Sequence, residues 1–88
     1  MPRTPDAVQH SQRQVLVTWL AMKTETHPPE LVKAWTPQSR AWEAYAVYCG
    51  NLRSTPFSMP KWAMETTSRG VESREVWGLR CLRLTLAE

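Results

Sequence analysis

Cysteine is scarce in this chain: Cys49 and Cys81 are the two among 88 residues. A small secreted fold stapled by disulfides needs more. Both lie in apolar stretches and read as buried free thiols of a reducing cytoplasm. No C-x-x-C occurs, and His10 and His27 stand far apart with no cysteine beside them, which argues against a metal site. Apolar residues make up 42% of the chain, yet no run of them is long enough to cross a bilayer. The first ten residues are polar and contain proline, without the apolar core of a secretion signal. The chain has no G-x-x-x-x-G-K-[ST] loop to cradle phosphates and no acidic cluster for metal-assisted phosphoryl transfer. Ser58, Thr66 and Ser68 have no evident histidine base, and neither cysteine sits in an electropositive motif. Glu43, Glu65, Glu72 and Glu75 read as solvated charges. The expectation is a protein that is not an enzyme, with no cofactor, no metal and no membrane contact. Internal repeats and low-complexity tracts are missing too.

What is present suits one small domain. So short a chain buries a modest share of its surface, and its core must be dense. Five tryptophans serve that need, because each ring removes a large apolar area from water. The formal charge is +3 and the isoelectric point about 9.2. That balance is mildly basic and compatible with nucleic acid.

Periodicity divides the chain. Residues 1–7 read as a flexible tail, and 8–88 as one domain. Val8, Val15, Leu16, Trp19, Leu20 and Met22 recur at helical spacing, which predicts a first helix over 8–24, ended by His27, Pro28 and Pro29. Leu31, Val32 and Trp35 suit one helical turn or a short strand. Thr36-Pro37 reads as an N-cap with proline at the first helical position. A second helix should follow to Cys49, burying Ala41, Trp42, Tyr45, Tyr48 and Cys49 and stopping at Gly50 and Asn51. Ser58 caps a third helix over 59–69, anchored by Trp62 and stopped by Gly70. The period then changes to alternation: 71–77 and 80–86 read as strands, with Leu82, Leu84 and Leu86 on one face. Gly78-Leu79 suits the hairpin turn between them.

The stretch from Ala44 to Gly70 and the tail behind it resemble the C-terminal winged-helix module of phage and plasmid primase–helicases. The residues that carry the resemblance are Tyr45, Tyr48, Cys49, Pro56, Phe57, Ser58, Trp62, Arg69, Gly70 and Val71, in order and without a gap. Gly78, Arg80 and Leu86 match the closing strand. The likeness spans roughly 31–86 and implies a mainly α winged helix-turn-helix: three helices plus a two- or three-stranded wing, standing alone without ATPase or primase parts. It implies double-stranded DNA as partner and a role in replication or regulation for a mobile element, as monomer or homodimer. The chain departs from the pattern in two places. Its third helix offers only Lys61 and Arg69 against Glu65, and Thr66 stands where a leucine often closes the core.

In such a fold the turn, third helix and hairpin share one side of the domain. Arg53, Lys61, Arg69, Arg74, Arg80 and Arg83 are then the candidate phosphate contacts. Thr67 and Ser68, with Lys61 and Glu65, are the candidates for base edges. The aromatic set Trp19, Trp42, Tyr45, Tyr48 and Trp62 reads as core, while Trp77 beside the turn should be exposed. The alternative is a protein-interaction module, for example a phage-encoded inhibitor docking on a host machine. Met59, Met64 and Trp77 are its candidate contacts. A continuous positive stripe would favour DNA; an apolar patch among mixed charges would favour a protein.

Overall fold

The computed structural model describes the backbone of residues 5–87 and the side chains of 11–87. Helix α1 (Pro5–Lys23) starts three residues before the expected Val8, so 5–7 of the expected tail are helical. Residues 1–4 and the side chains of Val8 and His10 lie outside the described residues. Helix α1 buries Leu16 and Trp19, three residues apart on one face. It ends at Lys23, ahead of the prolines. The next two residues form strand β1 (Thr24–Glu25), which pairs antiparallel with β5 (Thr85–Leu86). The ambiguous stretch beyond is a 3₁₀ turn at Val32–Ala34.

Strand β2 (Thr36–Pro37) precedes helix α2 (Gln38–Asn51). The expected N-cap role of Thr36 does not hold. Its backbone is paired in the sheet, and its buried hydroxyl donates to the Leu84 carbonyl at 2.6 Å instead of capping α2. Thr36→Val removes that donor and leaves a carbonyl in the core short of a partner. We expect a loss of about 1–2 kcal/mol, read as a lower denaturation midpoint with an unchanged slope.

Gly50 and Asn51 do not stop α2 either; they form its last turn. The helix closes one step later, where Arg53 takes φ 54°. Arg53 N–H donates to Gly50 O at 3.0 Å and Ser54 N–H to Cys49 O at 2.8 Å. This is the Schellman pattern, with arginine where glycine is usual. Helix α3 (Met59–Ser68) carries proline in its first turn, as expected. It ends in the same pattern, with Val71 N–H on Thr66 O and Gly70 N–H on Thr67 O. Here glycine does occupy the left-handed position, at φ 91°.

The last third is β-structured, as the change of period implies. Strands β3 (Ser73–Val76) and β4 (Leu79–Leu82) form an antiparallel hairpin. Strand β2 pairs with the other edge of β4, giving the order β2-β4-β3. Beyond Leu82 the expected continuous strand breaks: Arg83 N–H donates to Glu72 O and Leu84 N–H to Leu82 O. Pairing resumes at β5 with a different partner. The result is three helices with two small antiparallel sheets, β1-β5 and β2-β4-β3, a mixed α/β unit. No described helix is long and apolar enough to cross a membrane.

One core joins these elements. Leu16 and Trp19 from α1, Ala41, Tyr45 and Cys49 from α2, Trp62 from α3, and Leu82 with Leu84 meet in a single buried cluster. At its centre Trp19 meets Tyr45 and Trp62 edge-on, with ring centroids 5.7 and 6.2 Å apart. Tyr45 stacks on Trp62 at 6.0 Å. These are favoured aromatic geometries. Trp42 is only half-buried, with Nε1 donating to the Phe57 carbonyl. The Tyr45 hydroxyl accepts from Phe57 N–H, so the loop before α3 is tied to α2 twice. Both cysteines are free and buried. Burial pushes the Cys49 thiol above its ordinary value, which keeps it protonated and unreactive.

Candidate nucleic-acid interface

Helix α3 exposes Pro60, Met64, Thr67 and Ser68. Its cations do not stand free. Glu65, expected to be a solvated charge, is buried and draws Lys61 and Arg69 together with Arg13 of α1. Arg69 Nη1 lies 2.6 Å from Oε2, Arg13 Nε lies 3.1 Å from Oε1, and Lys61 Nζ lies 3.7 Å from Oε1. Arg69 and then Arg13 hold this carboxyl below the usual glutamate range, against burial, which pushes it up. The cluster bolts α1 to α3. It also occupies two of the expected phosphate contacts, Lys61 and Arg69.

Of the four candidate base readers, Lys61 and Glu65 are paired with each other, and Thr67 and Ser68 are turned inward as donors. Thr67 Oγ1 lies 3.0 Å from Ala63 O and Ser68 Oγ lies 2.8 Å from Glu65 O, both back-bonding to the helix itself. On the hairpin, Glu72 plays the part that Glu65 plays on α3. Arg83 lies 3.2 Å and Arg74 3.7 Å from its carboxylate. The Arg74 guanidinium also sits 4.5 Å from the centroid of the Trp35 ring, a cation–π contact. Arg53 and Arg80 differ from the rest. Both are exposed and make no ion pair among the described residues.

The hairpin turn corrects the expected register. Val76 pairs with Leu79, so the two central residues are Trp77 and Gly78, not Gly78 and Leu79. Both have positive φ, 54° and 79°. That is the type I′ requirement, matched to the twist of the strands and normally met by Asn-Gly or Asp-Gly. Glycine suits its position; tryptophan is a poor fit to left-handed backbone. Trp77 is nevertheless 95% exposed, so its ring contributes nothing to the core.

Cross-strand pairing puts Arg74, Val76, Leu79 and Cys81 on one face of the hairpin. With Leu31, Val32 and Trp35 they line an open groove of about 460 Å³ that reaches Trp77. Val32, Leu31 and Leu79 are exposed. The sequence pattern pointed to Trp77 but to none of these neighbours. A weak signal was available: Leu31 and Val32 belong to no amphipathic period. Met64 is well exposed and Met59 barely so, both at α3 and away from this groove's lining. No protein-family model, curated protein or solved structure matches the chain. What the surface can do therefore rests on its own side chains.

Proposed function

We propose that this chain is a winged-helix domain that binds double-stranded DNA, of the type phages, plasmids and other mobile elements use in replication or regulation. The observation that carries the reading is the order of elements. Apart from the short outer pair β1–β5 and the 3₁₀ turn, the chain runs helix, strand, helix, helix, strand, strand, with the hairpin's second strand central in the three-stranded sheet, an order consistent with a winged helix. Helices α2 and α3 are then the helix-turn-helix, and β3 with β4 is the wing. A winged helix presents α3 and the wing to nucleic acid. The net charge of +3 is compatible with that partner, although Glu65 and Glu72 interrupt the cations of this face and no continuous positive stripe forms among the described residues. The proposal puts the protein in the cytoplasm, as a monomer or homodimer, without catalytic activity.

Within this reading the phosphate contacts are unequal. Among the described residues Arg53 and Arg80 are in no ion pair, although Glu75 stands directly across the strands from Arg80. Lys61, Arg69, Arg74 and Arg83 must share themselves with Glu65 or Glu72. Binding is therefore weak to moderate and directed at the backbone, with little base readout. Arg53→Glu combined with Arg80→Glu is expected to weaken duplex binding roughly tenfold or more at low salt. It should also flatten the plot of log affinity against log salt by about 2, since each lost phosphate contact removes about 0.9. Fluorescence anisotropy on a labelled duplex reads both. Unchanged affinity in the double variant would remove these arginines from the interface.

A second reading has its own observation. The apolar groove beside Trp77, rimmed by charges of both signs, is the kind of surface that takes a protein partner. In that case the fold is retained while the basic helix has been lost. Trp77→Ala would then abolish partner capture, and the arginine pair would matter little.

A further inference from the structure

We infer that Trp77 is a base-stacking probe at the wing tip, and that the preferred ligand is DNA with an unpaired base beside the duplex, as at a fork or frayed end. The inference rests on the DNA-binding reading above and names the ligand class of that site. Three observations carry it. Trp77 is held at φ 54° in a two-residue turn that asparagine would fill with less strain. Strain kept at a position that packs against nothing points to use of the side chain. The ring is 95% exposed, so both π-faces are open to a flat partner. Arg80, three residues on, is exposed and in no ion pair among the described residues, with Glu75 across the strands from it, and is the cation we assign to the phosphate next to a stacked base. Shape agrees with this assignment. A two-stranded ribbon is narrow enough to enter a major groove, and its tip can follow a base that has left the stack. Stacking on an aromatic side chain tolerates any base, because every base has a π-face.

The test compares one duplex with the same duplex ending in a splayed, unpaired fork, for the wild type, Trp77→Asn and Trp77→Phe. Affinities come from anisotropy, and 2-aminopurine at the first unpaired position reports stacking directly. The wild type should prefer the fork by roughly 5- to 150-fold, the range that stacking of one base spans. It should also quench 2-aminopurine. Trp77→Asn should bring the ratio near one and lose the quenching, while Trp77→Phe keeps part of both. The melting temperature of Trp77→Asn should equal or exceed that of the wild type, because Asn-Gly is the favoured type I′ pair. Lost preference is then not lost folding. Equal affinity of the wild type for fork and duplex overturns the inference and leaves duplex binding standing. So does a preference that survives Trp77→Asn, which assigns the preference to other residues. A lower melting temperature in Trp77→Asn overturns the strained-turn premise. Binding to neither DNA rejects both this inference and the reading under it.

Discussion

Trp62→Ala is expected to cost about 3–5 kcal/mol, the range for emptying a large aromatic site. Trp62 is fully buried and touches both other central rings, Trp19 and Tyr45. The three rings come from α1, α2 and α3, so the cavity opens where all three helices meet and no single element can collapse into it. A chain of this length has roughly 4–13 kcal/mol of stability in total. The variant should therefore melt roughly 12–40 °C lower, or fail to fold. Trp62→Phe separates packing from polarity. The Trp62 indole N–H is buried without a hydrogen-bond partner, so phenylalanine gives up ring volume but also removes an unsatisfied donor. Its penalty should be clearly smaller. Equal penalties for Ala and Phe would contradict a core held by the stacked rings.

Glu65→Gln is expected to move stability and DNA affinity in opposite directions. The substitution keeps the shape but removes the charge that Arg69, Arg13 and Lys61 share. We expect a loss of about 2–3 kcal/mol, since hydrogen bonds to charged groups are the stronger ones. The pH dependence carries the same signature. The carboxyl titrates below its unfolded value, so its contribution is complete above the ordinary glutamate range near ~4.3. It is lost as pH falls through the lower folded value. Glu65→Gln should flatten that part of the acid limb in pH-dependent denaturation. In the proposed function the variant also frees Lys61 and Arg69 for phosphates, so duplex affinity and its salt dependence should both rise. A variant that is less stable but binds no better would separate the cluster from the interface.

The core was legible in the sequence because helical spacing of tryptophan and tyrosine leaves little choice of face. Trp19, Tyr45 and Trp62 are buried where their periods put them. The switch to hairpin after Gly70 was legible for the same reason, as a change of period. What stayed hidden depended on partners distant in the chain. A threonine before proline looks like a cap until its hydroxyl finds Leu84, 48 residues on. Glycine marked the hairpin turn but not its register, because Gly-X and X-Gly both fit a two-residue loop and only the pairing of Val76 with Leu79 decides. Glu65 looked like a surface charge because Arg13 lies 52 residues away. That one carboxylate changes the candidate site most, since the helix expected to meet DNA has its cations engaged.

Duplex binding as a function of salt tests the central proposal most directly. The wild-type chain should retard or depolarise a labelled duplex at low ionic strength. Its log affinity should fall against log salt with a slope of about −2 or steeper, since Arg53 and Arg80 alone contribute roughly −1.8. No binding to any duplex at low salt, or binding indifferent to salt, would contradict it.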